Sequence, residues 1–199
     1  TIATPSVTFR SGSILVAGAI TISNSSANNW TATYTMQSGD TEGNITFSIA
    51  FSDTLGNAGT TVTTTTNSSS VQFDKTTPVI TQSTPVPTPT ADSTPNYRFS
   101  SFEPGIIVYG GDCSSIQTNA LGGITTVTFN TLANGTYTNC TIRISDSAGN
   151  LSNTLAIPSF TIDASAPTIT EVTAVPTPGT NTAPEYTFDT TEAGTITYG

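Results

Sequence analysis

Apolar residues alternate with hydroxyl-bearing ones along most of this chain. Ser6 to Phe9 and Ile14 to Ile22 read as strands, and Trp30, Ala32, Tyr34 and Met36 alternate with Thr31, Thr33 and Thr35. Ile45, Phe47, Ile49 and Phe51 fall on one face of a further strand, with Thr46, Ser48, Ala50 and Ser52 on the other. The D-T-L-G-N turn at Asp53 to Asn57 is rich in residues that tolerate positive φ or bond their own backbone. Thr60 to Thr66 and Val71 to Phe73 then predict a last strand or pair of strands. The same period returns at Tyr97 and Phe99, Ile106 to Tyr109, Val127 and Phe129, and at Cys140, Ile142 and Ile144. Pro85, Pro87 and Pro89 lack the N–H a ladder needs, so their segment belongs at an edge or in a loop. No stretch of ten residues carries an apolar stripe of helical period. Many short strands between turn signals predict an all-β chain of β-sandwiches with essentially no α-helix.

The pattern also repeats. Residues 77–110 return at 166–199, an offset of 89, with sixteen of the 34 aligned pairs identical. Phe47, Ile49 and Phe51 match Cys140, Ile142 and Ile144; Asp53 to Asn57 match Asp146 to Asn150; and Val71 and Phe73 match Phe160 and Ile162. A tandem array follows: residues 1–76 a module without its opening strands, 77–165 a complete module, and 166–199 the opening half of a third. The first and third are expected to be completed by the rest of a longer polypeptide or by an identical chain, since open sandwiches expose unpaired edges. Between modules lie Asp74 to Pro78 and Asp163 to Pro167. The residue before each of Pro78 and Pro167 is pushed toward extended conformations, so these linkers are expected to be stiff.

Charge narrows the function classes. Four basic residues against thirteen acidic ones leave a net charge of −9, which disfavours nucleic acid and anionic lipid as partners. No run of 18 apolar residues is present, so no membrane insertion is expected of this segment. The absence of histidine removes Ser-His-Asp catalysis and histidine zinc sites, and no enzyme activity is expected.

Three motifs carry a family resemblance. They are L-x-x-G-x-Y at Leu132, Gly135 and Tyr137, D-x-A-G-N at Asp146 to Asn150, and D-x-x-x-P at Asp163 to Pro167; the last two have counterparts at Asp53 to Asn57 and Asp74 to Pro78. Together they resemble the bacterial Ig-like repeats of large secreted adhesins and cell-surface proteins. The resemblance implies tandem Greek-key sandwiches forming an extracellular stalk that spaces and presents other parts of a surface protein. Tyr137, with Gly135 two before it, looks like the tyrosine corner that pins an inter-sheet connection. Gly149, Asn150, Pro78 and Pro167 are the other expected structural positions. Two departures from antibody-type domains stand out: Trp30 lies in the module without cysteines, and Cys140 follows Tyr137 by three residues. Other readings are a filament whose incomplete modules complete each other by strand exchange, and an array that binds glycan or a host protein.

Cys113 and Cys140 sit in a module of a kind found outside cells, where a disulfide is expected. Two free buried thiols or a metal site are the alternatives, although two Cys without His cannot close a zinc site. Asp53, Asp74, Asp146 and Asp163 recur at module ends, with Glu103 and Glu192 at matching positions, and are candidate calcium ligands. Equally, each Asp can cap its own turn. Seven N-x-[ST] triplets, at Asn24, Asn29, Asn44, Asn67, Asn134, Asn139 and Asn150, arise readily by chance in so hydroxyl-rich a chain. The tyrosines mostly alternate into strands as core, with Tyr109 and Tyr198 the exceptions that could face a ligand.

Overall fold

A computed structural model describes residues 1–198, and all its regular elements are strands. The first module holds β1 (Ser6–Ser11), β2 (Ile14–Leu15), β3 (Thr21–Ser26), β4 (Asn29–Thr33), β5 (Gly43–Ala50) and β6 (Val71–Phe73). They form an antiparallel sheet in the order β2-β1-β5-β6 and a separate β3-β4 hairpin. Phe9 and Phe47 are register partners, as are Val7 and Ile49. The predicted strand over Ile14 to Ile22 is interrupted between Val16 and Ile20. That over Thr60 to Thr66 is absent: a single bridge, Val62 to Ile49, ties down a loop. In that run only Val62 is apolar, so nothing but Val62 can anchor the segment to a core face.

The second module contains β7 (Ile80–Thr84), β8 (Asn96–Ser101), β9 (Gly105–Gly110), β10 (Asn119–Ala120), β11 (Gly123–Thr128), β12 (Gly135–Tyr137), β13 (Thr141–Ser145), β14 (Leu155–Ala156) and β15 (Phe160–Ile162). One sheet runs β10-β9-β13-β14, another β11-β8-β7, and β12 pairs with β15. Alternation decides which side chains meet. Tyr97 and Phe99 of β8 and Val127 of β11 are buried in one apolar cluster with Ile107 of β9 and Ile142 and Ile144 of β13. Phe129 stacks between Tyr97 and Phe160, with ring centroids 6.4 and 6.2 Å apart. The triple-proline segment stays outside regular strands, as its missing donors require. Thr88–Pro89 and its repeat Thr177–Pro178 are both cis.

Residues 166–198 contribute β16 (Ile169–Thr173) and β17 (Thr187–Thr190), an antiparallel pair in the register of β7 and β8. Sequence identity here does not reproduce burial. Ile169 is 65% exposed against 1% for its counterpart Ile80, and Tyr186 is 52% exposed against 0% for Tyr97. The strands that cover Ile80 and Tyr97 have no counterpart in residues 166–198. Gly199, the last position of the repeat, lies outside the described residues.

Candidate functional site at the junction of two modules

The chain leaves β6 at Phe73 and enters the second module through Asp74 to Pro78, and both modules grip this passage. On the first side the Glu42 carboxylate accepts the Lys75 amide N–H at 2.8 Å and the Thr76 hydroxyl at 2.8–2.9 Å. These donors, the Lys75 amide foremost, hold the Glu42 carboxyl below its usual range. Lys75 turns back: its Nζ donates to the carbonyls of Ser38 at 2.7 Å and Asp40 at 2.8 Å. On the other side Asn150 Nδ2 donates to the Asp74 carbonyl at 3.2 Å, and Asn153 brackets Ile80 through both its backbone groups. Pro78 is fully buried. Its repeat, Pro167, is exposed.

Here Asp74, Glu103 and Asp146 converge, with one carboxylate oxygen from each lying within 4.8 Å of the others. Asp146 is the buried member. Its Oδ1 accepts the amides of Ala148 at 2.8 Å and Asn150 at 2.9 Å, and its Oδ2 accepts Asn150 Nδ2 at 2.9 Å. Burial acts to raise this carboxyl, but the Asn150 side chain and the Asn150, Ala148 and Gly149 amides outweigh it and hold it below the ordinary value. The group is therefore a fixed anion. Its oxygens keep spare lone pairs beside two further carboxylates. Oxygen-only donors of this kind suit a hard cation such as calcium, not zinc or copper.

The turn-capping reading of these acids is seen directly at Asp53, Asp146 and Asp163, while the calcium reading has beside it the clustering of Asp74 with Glu103 and Asp146. Asp146 both caps its turn and joins the cluster with Asp74. Asp53 reproduces the Asp146 turn, accepting Leu55 and Asn57 amides at 2.9 and 2.8 Å and Asn57 Nδ2 at 2.7 Å. Asp163 accepts the Ser165 amide at 3.2 Å. Since Asp53 matches Asp146 and Asp163 matches Asp74, the four candidates are two roles of one repeated junction. Glu103, the third carboxylate, is legible only as the partner of Glu192 in the repeat; Glu42 and Lys75 carried no signal.

The remaining expected positions serve the scaffold. Cys113 and Cys140 form a disulfide, both nearly inaccessible, with Cα atoms 5.3 Å apart. Tyr137 Oη donates to the Ala133 carbonyl at 2.9 Å, and its ring stacks on Phe160 at 5.3 Å. Gly135 opens β12 opposite Ile162. Gly149 and Gly56 both sit at φ 92°, closing the two matching turns in a region that favours glycine. Tyr109 donates its hydroxyl to the Gln117 carbonyl, whereas Tyr198 is 91% exposed. No family model matches this chain, and no curated protein matches it.

Proposed function

We propose that this chain is a spacer segment of an extracellular stalk, of the kind formed by bacterial Ig-like repeats, in which linked β-sandwiches hold other parts of a surface protein at a distance. The observation that carries the reading is the junction. A flexible tether would leave Asp74 to Pro78 solvated, yet Glu42 and the Lys75 side chain bind the passage to the first module and Asn150 binds it to the second. The disulfide supports an oxidising compartment outside the cytoplasm. No helix is long and apolar enough to cross a membrane. Small-angle scattering tests the proposal: an elongated particle with a fixed angle between the first two modules is expected, and the broad profile of freely jointed modules would overturn it.

A second reading, a filament completed between identical chains, draws on one observation. Ile169 of β16 and Tyr186, just before β17, are exposed, whereas their counterparts Ile80 and Tyr97 are buried in the second module. Sedimentation over a hundred-fold range of concentration separates the two. A growing series of oligomers supports the filament, and one monomeric species removes it.

A further inference from the structure

Two positions meet in the same way in the second module and in the third segment, and only the second module makes them apolar. The Phe102 amide donates to the Val79 carbonyl at 3.1 Å, and the Thr191 amide donates to the Thr168 carbonyl at 3.1 Å. The repeat makes Thr168 the counterpart of Val79 and Thr191 that of Phe102. Threonine therefore supports this backbone contact as well as the apolar pair does. Phe102 is 84% and Val79 58% exposed, so core burial does not account for them either. Ile124, in register with Ser100, adds a third exposed apolar side chain on the same sheet. Apolar side chains grouped where neither the turn nor the core requires them mark a contact surface.

Phe102 and Val79 line an open cleft of about 710 Å³, within the range of small-ligand sites, about 300–1,000 Å³. Thr81 of β7 and Ser100 of β8, which are register partners, line it too, as do Thr76 and Thr77 of the linker. Thr76 and Ser101 commit their hydroxyls inside the protein, to Glu42 and to the Glu103 carbonyl. Those of Thr77, Thr81 and Ser100 have no protein partner among the described residues.

This lining selects the occupant. No ionisable side chain lines the cleft, and a chain of net charge −9 repels anions. A purely apolar ligand would cover three hydroxyls without giving them partners. An added β-strand is opposed at β7, where Asn153 Oδ1 accepts the Ile80 amide at 2.9 Å and Asn153 Nδ2 donates to the Ile80 carbonyl at 3.0 Å. A sugar ring meets both remaining demands: its C–H face lies against Phe102 while its hydroxyls pair with those of Thr77, Thr81 and Ser100.

We propose that this cleft binds a neutral carbohydrate, with Phe102 as the platform beneath the ring. The proposal goes beyond the spacer reading and does not depend on it, since sugar binding and module spacing are measured separately.

The repeat itself supplies the test variant. Val79→Thr combined with Phe102→Thr installs the pair that the third segment carries at the same backbone contact, so the melting temperature is expected to stay within about 2 °C of wild type. The whole chain is screened against an array of neutral and sialylated glycans, and each bound neutral glycan is then titrated by amide-resolved NMR against wild type and the double variant. Binding confined to neutral glycans is expected, with amide shifts at Thr77, Thr81 and Ser100 and affinity at least about ten-fold weaker in the double variant. Ser100→Ala, which removes one free hydroxyl, is expected to weaken binding about three-fold or more. Binding of no neutral glycan, preference for sialylated ones, or equal affinity in the double variant would overturn the proposal. So would concentration-dependent association of the wild type that the double variant loses without any glycan binding, which would assign the face to a second copy of the chain.

Discussion

Asp53 and Asp146 show how a short motif determines its own electrostatics. Each carboxylate gathers the two amides and the Asn side chain that its own five-residue turn supplies, and each is held below its ordinary value of 3.8. Because the folded value lies below the unfolded one, the stabilisation is complete above the ordinary carboxyl range and is lost as pH falls through the depressed folded values. Urea midpoints should therefore stay level from neutral pH to about pH 5 and drop below about pH 4, with a smaller acid-side drop in Asp146→Asn. An unchanged acid limb in that variant would contradict the assignment. Gly111 offers a steric counterpart beside the disulfide. It sits at φ 73°, and a Cβ there would collide with the Asn139 carbonyl. Gly111→Ala should lower the stability of the second module by roughly 1–3 kcal/mol, read as a reduced denaturation midpoint.

Pro78 and Pro167 carry the expectation of stiff linkers, because proline restricts the residue before it whatever the surroundings. What grips the first of them was not legible, since Glu42 and Lys75 lie 33 residues apart and meet only after β5 pairs with β6. The same holds for the carboxylates. Asp74, Glu103 and Asp146 lie in three separate connecting segments, and only the junction brings them within 4.8 Å. Calcium at millimolar concentration is expected to raise the melting temperature by several degrees through preferential binding to the folded state, and Glu103→Gln to abolish most of that rise. A shift below about 1 °C would leave the cluster without a cation role. Strand prediction failed where alternation lacked apolar members: the hydroxyl run after Gly59 has extended-chain propensity but, apart from Val62, nothing to bury.

Burial is unevenly shared along the chain. The extended apolar cluster lies wholly within residues 80–162, whereas the first module keeps Val16 as its buried hydrophobic residue among those described. Hydrogen exchange should accordingly be slowest in β8 and β13 and fast throughout residues 166–198. Uniform protection across the three would contradict this order. Replacing Cys113 and Cys140 together with Ala should cost the second module roughly 3 kcal/mol by releasing a 27-residue loop in the unfolded chain.

Local rules were enough for the all-β class and for the turns at Asp53 and Asp146, because side-chain period, proline and glycine act within a few residues. Burial could not be read locally: Ile80 and Ile169 share a motif, yet one is covered and the other exposed. Covering strands come from distant sequence, and so do the partners of Glu103. Whether a repeated residue becomes core or stays exposed is set by what the fold brings against it, which no periodicity records.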